Sequence, residues 1–280
     1  MIPPEFDYAA PDSLDEAIQL LGQAGDDAKL LAGGHSLLPL MKLRFAAPSM
    51  LIDLRKIDGL KGIQSGNGDG TRIGALTTHA MVQESDLGLP AAAAKQIADQ
   101  QVRNRGTIGG SLAHGDPASD WPAVLLAMDG SVTARGANGG RSIAAAELFQ
   151  DYLTTALADD EVITDVRLPS MDGYGHAYLK FARRAEDWAM VGVAALVRVQ
   201  DGSFADVRIG LTHMGTTPLR ATQVEQALAG QPVEASRISA AAEAAAEGTD
   251  PPGDLNATPH YKRHLARVLV RRAVEQAAGL

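Results

Sequence analysis

The 280-residue sequence predicts a mixed α/β and α+β chain. Three observations predict it. Short apolar runs alternate with helical periodicity up to about residue 170, the pattern of small α/β units. Three strand-like runs then follow one another without a helix between them. Two alanine-rich helical stretches close the chain.

The elements follow in order. Asp12 or Ser13 can cap a helix running to about Ala24, because Leu14, Ala17, Ile18 and Leu21 recur at helical spacing. "AKLL" then reads as a short buried strand ending at Gly33-Gly34, and "MLIDL" (50–54) as the next strand. "GIQSGNGDGTRIGAL" (62–76) predicts a hairpin with a glycine-rich turn, and a helix is expected over about Leu89–Ala98. Asp116-Pro117 reads as a helix start, an N-cap carboxylate before a proline at the first helical position, with the helix passing Met128 and stopping at Gly130. "GSVTARG" and "EVITDVRLP" supply two more strands. "YGHAYLKFA", "MVGVAALVRV" and "FADVRIGLTHM" predict an antiparallel sheet, and "EASRISAAAEAAAEG" and "PHYKRHLARVLVRRAVEQAA" two helices. A boundary falls near Pro169–Gly173.

Composition excludes several functions. Net charge is −9, with 25 basic against 34 acidic residues, which opposes nucleic-acid binding. No apolar stretch approaches the length of a transmembrane segment, and "MIPPEFDYAAPDS" lacks the basic and apolar regions of a signal peptide. A cytoplasmic protein is expected. There is no cysteine, so disulfides, thiol catalysis and Cys-ligated iron–sulfur clusters cannot reside on this chain.

Two glycine-rich turns can carry chemistry: Ala32-Gly33-Gly34-His35-Ser36 and Thr107-Ile108-Gly109-Gly110-Ser111. Glycine lets a backbone approach an anion, and successive N–H groups with flanking hydroxyls can donate to phosphate oxygens. Neither matches the dinucleotide G-x-G-x-x-G pattern or the P-loop, and each alone is explained by a tight turn. Together they could converge on the two halves of a pyrophosphate. Asp116 and Asp120 could accept from ribose or ribityl hydroxyls; for Asp116 a simple N-cap role is an equal alternative. His35 and His114 lack the neighbours of a metal site and read as loop histidines. Lys180, embedded in a strand, could face a buried polar cofactor. Arg103 and Arg105 in "QVRNRG" read as exposed or as part of a docking face. The last helix reads as basic on one side, with Lys262, Arg263, Arg267, Arg271 and Arg272, and apolar on the other.

"AGGHSLLPLMKLR" and "TIGGSLAHGDPASD", in this order and separation, resemble the FAD-binding medium subunits of the molybdenum hydroxylases. The first motif looks especially like that of aerobic carbon monoxide dehydrogenase. "FDYAAPDSLDEAIQLL", "DEVITDVRLP", "YLKFARR" and "YKRHLARVLVRRA" extend the resemblance over nearly the whole chain. It implies a two-subdomain FAD-binding fold of the vanillyl-alcohol-oxidase/PCMH type, residues 1–58 and 59–172. A C-terminal domain, 173–280, would hold a three-stranded antiparallel sheet with a helical bundle.

The resemblance also implies residue roles. Ala32, Gly33, Gly34, His35, Ser36 and Leu37 would hold one side of the FAD pyrophosphate, and Thr107, Gly109, Gly110 and Ser111 the other. Asp120 would contact the nucleotide, Ile97 and Ile163 the flavin. Lys180 would lie near the polar edge of the isoalloxazine, where a cation raises the flavin potential. Trp188 would sit in a loop near the ring. Gly33→Val and Gly109→Val are expected to block close backbone approach to the cofactor while leaving a folded chain.

FAD would be non-covalent. The [2Fe–2S] clusters would lie on a small partner subunit and the molybdenum cofactor on a large one, in a dimer of heterotrimers. Electrons would leave for an external acceptor such as quinone, with the complex cytoplasmic or peripheral at the inner face of the membrane. No catalytic acid, base or nucleophile and no metal ligand is expected on this chain. The alternatives are the equivalent subunit of an enzyme for an N-heterocycle or aldehyde, a stand-alone flavin oxidoreductase, or a non-catalytic nucleotide-binding protein.

Overall fold

The computed structural model describes residues 2–66 and 70–280. Three principal sheets divide the chain in sequence order. The first is a three-stranded parallel sheet in which Met50–Asp53 lies between Asp7–Ala9 and Ala28–Leu31. The Leu14–Ala24 helix crosses between its outer strands. Ser13 caps that helix by accepting the Glu16 N–H at 3.2 Å, and Ala17, Ile18 and Leu21 are its buried face. The Asp7–Ala9 strand, three residues long, was not foreseen.

The second sheet has five antiparallel strands. Val162–Leu168 is central, flanked by Gly70–Gly74 and Ser131–Gly136, with Ile63–Gly66 and Gly139–Ala144 at the edges. The expected hairpin is present as Ile63–Gly66 paired with Gly70–Gly74, while residues 67–69 of its turn lie outside the described residues.

Two helix boundaries differ from expectation. The helix beginning at Leu89 ends at Ala94 rather than near Ala98. Beyond it Gln96 and Ile97 donate three residues back, to Ala93 and Ala94, and Ala98 at φ +43° turns the chain away, in a turn where Arg103 Nη1 donates to the carbonyls of Ile97 and Ala98 at 2.7 Å. Asp116-Pro117 does not open a helix. The Asp116 carboxylate accepts the Ala118 N–H at 2.8 Å in a local turn, and the helix spans Asp120–Ala127. Pro122 occupies its first turn, where a missing N–H costs nothing.

The C-terminal sheet contains Tyr174–Phe181, Val191–Gln200 and Ser203–Thr212 as an antiparallel meander. A fourth strand, Leu219–Arg220, pairs with Gly210 and Leu211; two residues are too few to leave a periodic signature. Both faces are covered. The Asp120–Ala127 helix packs on one side, so closely that a Cβ on Gly210 would run into the Ala123 carbonyl. The Pro259–Ala278 helix covers the other with Leu265, Leu269, Val270 and Val274. That double burial explains why "MVGVAALV" is apolar without alternation, and why the Asp120–Ala127 helix is buried all round. Before the last helix come Thr222–Leu228, unforeseen, and the alanine-rich Ala235–Ala242. Lys262, expected on an exposed basic side, is fully buried. Among the described residues no helix is long and apolar enough to cross a membrane.

Candidate functional site: a cleft shared by three sheets

A cleft of about 810 Å³ opens where the three parts of the chain meet. Its size suits a large organic ligand. The first glycine motif forms one wall, the second motif the adjoining wall, and the Tyr174–Phe181 strand contributes Lys180 to the lining.

The first motif is a loop. It leaves the Ala28–Leu31 strand and runs into the Leu37–Leu43 helix. Gly34 has φ +80°, a conformation costly for any residue with a Cβ, and Ser36 is right-handed at φ −101°, ψ −52°. The amides of Gly33, Gly34, His35, Ser36 and Leu37 have no protein hydrogen-bond partner among the described residues. Successive unpaired N–H groups of this kind form an anion-binding concavity.

The second motif is different: it is the first turn of a helix, Ile108–His114, with Thr107 as N-cap. Its amides are already used. Ile108 donates to Thr77 O (3.0 Å), Gly109 to Ala75 O (2.9 Å), Gly110 to Thr107 Oγ1 (3.2 Å) and Ser111 to Thr107 O (3.1 Å). What this wall offers a ligand is the hydroxyls of Thr107 and Ser111 and a surface without side chains at Gly109 and Gly110. The clamp inferred from sequence is therefore asymmetric, with amides on one jaw and hydroxyls on the other.

The glycines also have another role. A Cβ on Gly33 would run into the Arg105 carbonyl and Gly106 Cα, and one on Gly109 would lie 2.5 Å from the Ala75 Cβ. Both contacts are with protein. Gly33→Val would push the first motif off residues 105 and 106, and Gly109→Val would push the second off Ala75, so neither isolates cofactor approach as expected from sequence.

Tyr178 and Lys180, two residues apart on one strand, point to the same face, while Ala177 and Leu179 join the C-terminal core. Lys180 Nζ donates to Asp120 Oδ2 at 3.2 Å and to the Gln96 carbonyl at 3.0 Å. Tyr178 Oη donates to Asp120 Oδ1 at 2.6 Å. Burial pushes the Asp120 carboxyl above the usual carboxylate range, and Lys180 and Tyr178 work against that rise. Burial and the same carboxylate push the Tyr178 phenol well up, so it remains a donor.

Ile97 and Ile163 are apolar parts of the lining, and Trp188, half-exposed, stands at the rim. His35 and His114 also line the cleft; Asp116 does not, its carboxylate being engaged in its own turn. Arg103 is turned inward onto the 97–98 turn rather than presented for docking, while Arg105 is exposed.

Residues 4–171 match the family of FAD binding domains in molybdopterin dehydrogenase, and residues 176–277 match the CO dehydrogenase flavoprotein C-terminal domain. The chain belongs to this family. It is a FAD-binding medium subunit of the molybdenum hydroxylase type. It is 44% identical to the carbon monoxide dehydrogenase medium chain of Hydrogenophaga pseudoflava, covering 99% of this chain and 98% of that one. It is 40% identical to the nicotine 6-hydroxylase medium subunit of Paenarthrobacter nicotinovorans, with the same coverage. Among solved structures, a carbon monoxide dehydrogenase from Hydrogenophaga pseudoflava superposes with a TM-score of 0.95 at 45% identity, covering 99% of both chains.

The cleft fits FAD on its own evidence. Five unpaired successive amides suit a diphosphate, and a buried ammonium in the same cleft suits the polar edge of a flavin. Sequence reasoning missed Tyr178 and His79 and misplaced Arg103. Tyr178 was legible in principle, being two positions before Lys180 on the same strand. Nothing in "LTTHAMVQ" announced His79.

Proposed function

We propose that this chain is the electron-transfer subunit of a carbon monoxide dehydrogenase-like molybdenum hydroxylase. It takes electrons from [2Fe–2S] clusters of a small subunit and passes them to an external acceptor such as quinone. The observation that carries the reading is the cleft itself, lined both by a run of unpaired amides and by Lys180 and Asp120 of the Lys180–Asp120–Tyr178 cluster. The chain has no cysteine, so iron–sulfur clusters must come from a partner. FAD, when bound, supplies the redox chemistry and can exchange one or two electrons.

The chain's own residues bind and tune. The amides of Gly33–Leu37 would hold one side of the pyrophosphate, and the Thr107 and Ser111 hydroxyls the other. Ile97 and Ile163 would pack against the flavin and exclude water. The Lys180 ammonium, fixed by Asp120 and the Gln96 carbonyl, would face the polar edge of the ring and favour its reduced form. The working assembly in this reading is a dimer of heterotrimers, cytoplasmic or peripheral at the inner membrane face.

Reconstitution tests the proposal. The full chain loaded with FAD should oxidise no organic substrate alone and should be reduced once its iron–sulfur partner is added. Direct reduction by a small alcohol or amine would sink it in favour of a stand-alone flavin oxidoreductase. The 40% identity to a nicotine 6-hydroxylase subunit supports a second reading, a hydroxylase for an N-heterocycle or aldehyde. Acceptor reduction by the assembled complex with carbon monoxide, but not with nicotine-like heterocycles or aldehydes, decides between the two.

A further inference from the structure

We propose that His79 is a tautomer-locked hydrogen-bond donor to a phosphate or sugar oxygen of the bound dinucleotide, presented where the two glycine motifs meet. The proposal rests on the functional reading above and adds a residue to it.

Three observations carry the inference. The first is which nitrogen holds the proton. Trp121 Nε1 lies 3.0 Å from His79 Nδ1, and an indole N–H can only donate. Nδ1 must therefore be an acceptor, and in a neutral ring the proton sits on Nε2. The second is where that proton can go. Nε2 has no protein partner among the described residues, and the ring lines the cleft. The third is how the ring is placed. The His79 N–H donates to the Gly106 carbonyl at 3.0 Å, and a Cβ on Gly106 would lie 2.7 Å from Nε2. Gly33 packs directly on Gly106. His79, Gly106 and Gly33 are therefore stacked in contact, and the ring backs the junction of the amide jaw and the hydroxyl jaw.

Burial, aided by the fields of His35 and Arg103, holds the His79 pKa down at about 4, so the ring stays neutral near physiological pH. A neutral donor recognises an oxygen without adding a charge. It complements the hydroxyl jaw, whose amides are consumed by the protein. Filling space against Trp121 is the competing role, and it makes no use of Nε2.

The two roles separate experimentally in the full chain. His79→Phe keeps the ring volume and removes the donor. Trp121→Phe keeps the histidine and releases Nδ1, so that both tautomers become accessible. The donor role requires about a 10-fold or greater rise in the FAD dissociation constant for His79→Phe, as expected for losing a hydrogen bond to a charged or polar oxygen. Trp121→Phe should give a smaller rise. In long-range ¹H–¹⁵N spectra of the parent chain, the His79 Nε2–H resonance should move on FAD addition while Nδ1 stays acceptor-like. Equal FAD affinity in parent and both variants, or an unmoved Nε2–H, would overturn the role of His79 alone. A parent chain that binds no FAD would overturn the functional reading and this inference together.

Discussion

Lys180 and Lys262 are both withdrawn from solvent and both reach an aspartate, yet they sit in opposite settings. Lys180 pairs with Asp120, itself buried, at 3.2 Å, and its ammonium borders the cleft. Lys262 pairs with Asp254 at 2.6 Å, and that carboxylate is one-third exposed. Lys262 Nζ also lies 3.3 Å from His213 Nε2, whose Nδ1 is 2.7 Å from the Ala189 carbonyl. The Lys262 cluster thus ties the last helix to the base of the loop carrying Trp188. A buried cation is therefore not by itself a sign of function. What separates the two is whether the charge faces a ligand space or only the fold.

The largest expected effect breaks the structural pair. Lys262→Ala removes a sealed side chain and leaves His213 without its partner. It should lower unfolding free energy by about 3 kcal/mol, measured by urea denaturation, with the flavin spectrum of the folded fraction unchanged. Lys262→Met, which restores the packed stem, should recover part of that loss. An unchanged urea midpoint in Lys262→Ala would show that the two lysines do not differ in this way.

Acid sharpens the contrast, because the two aspartates shift in opposite directions. Burial works to raise the Asp254 carboxyl, but Lys262 and the N–H groups of Asn256 and Ala257 outweigh it and lower it from 3.8 to about 2. Its stabilisation is complete above 3.8 and is lost as pH falls through about 2. Given its exposure, roughly 1–2 kcal/mol is expected. Asp120 is raised instead, so its contribution is complete below 3.8 and is lost as pH rises through its folded value. Asp254→Asn should flatten the acid limb of stability against pH. If that limb keeps its slope, the Asp254 assignment fails.

A third prediction asks what the cleft pair costs. A buried ion pair is often no more stable than neutral groups of similar shape. Lys180→Met combined with Asp120→Asn should leave unfolding free energy within about 1 kcal/mol of the parent. A loss of several kcal/mol would mean that the cleft pair, like Lys262–Asp254, is chiefly structural.

Much of this contrast could be read from sequence, but only where the local pattern was clean. Lys180 stood out because a cation inside an apolar strand has few neutral explanations, and the motifs around Gly33 and Gly109 were legible as a pair. Lys262 was misread because its helix carries four arginines, and a basic stripe looks solvated whichever member turns inward. Asp116-Pro117 imitated a helix start that Pro122 provides. His79 depends on Trp121, 42 residues away, and no local pattern encodes that pairing. The division between an amide jaw and a hydroxyl jaw was also hidden, since it depends on which carbonyls the second motif finds.

The flavin potential is the most discriminating readout. In Lys180→Met the flavin potential should fall by about 20–40 mV, the equivalent of roughly 1–2 kcal/mol for a two-electron couple. The fall is limited because Asp120, already raised by burial, can take a proton once its ammonium is gone, leaving the site neutral in both proteins. It should therefore deepen as pH rises and Asp120 ionises. Asp120→Asn removes only the negative charge, leaves Lys180 uncompensated, and should raise the potential. Opposite signs in a spectroelectrochemical titration would identify a charge pair that tunes the flavin. Shifts of the same sign would point to a general disturbance of the cleft, and Lys180 would then join Lys262 as a support of the fold.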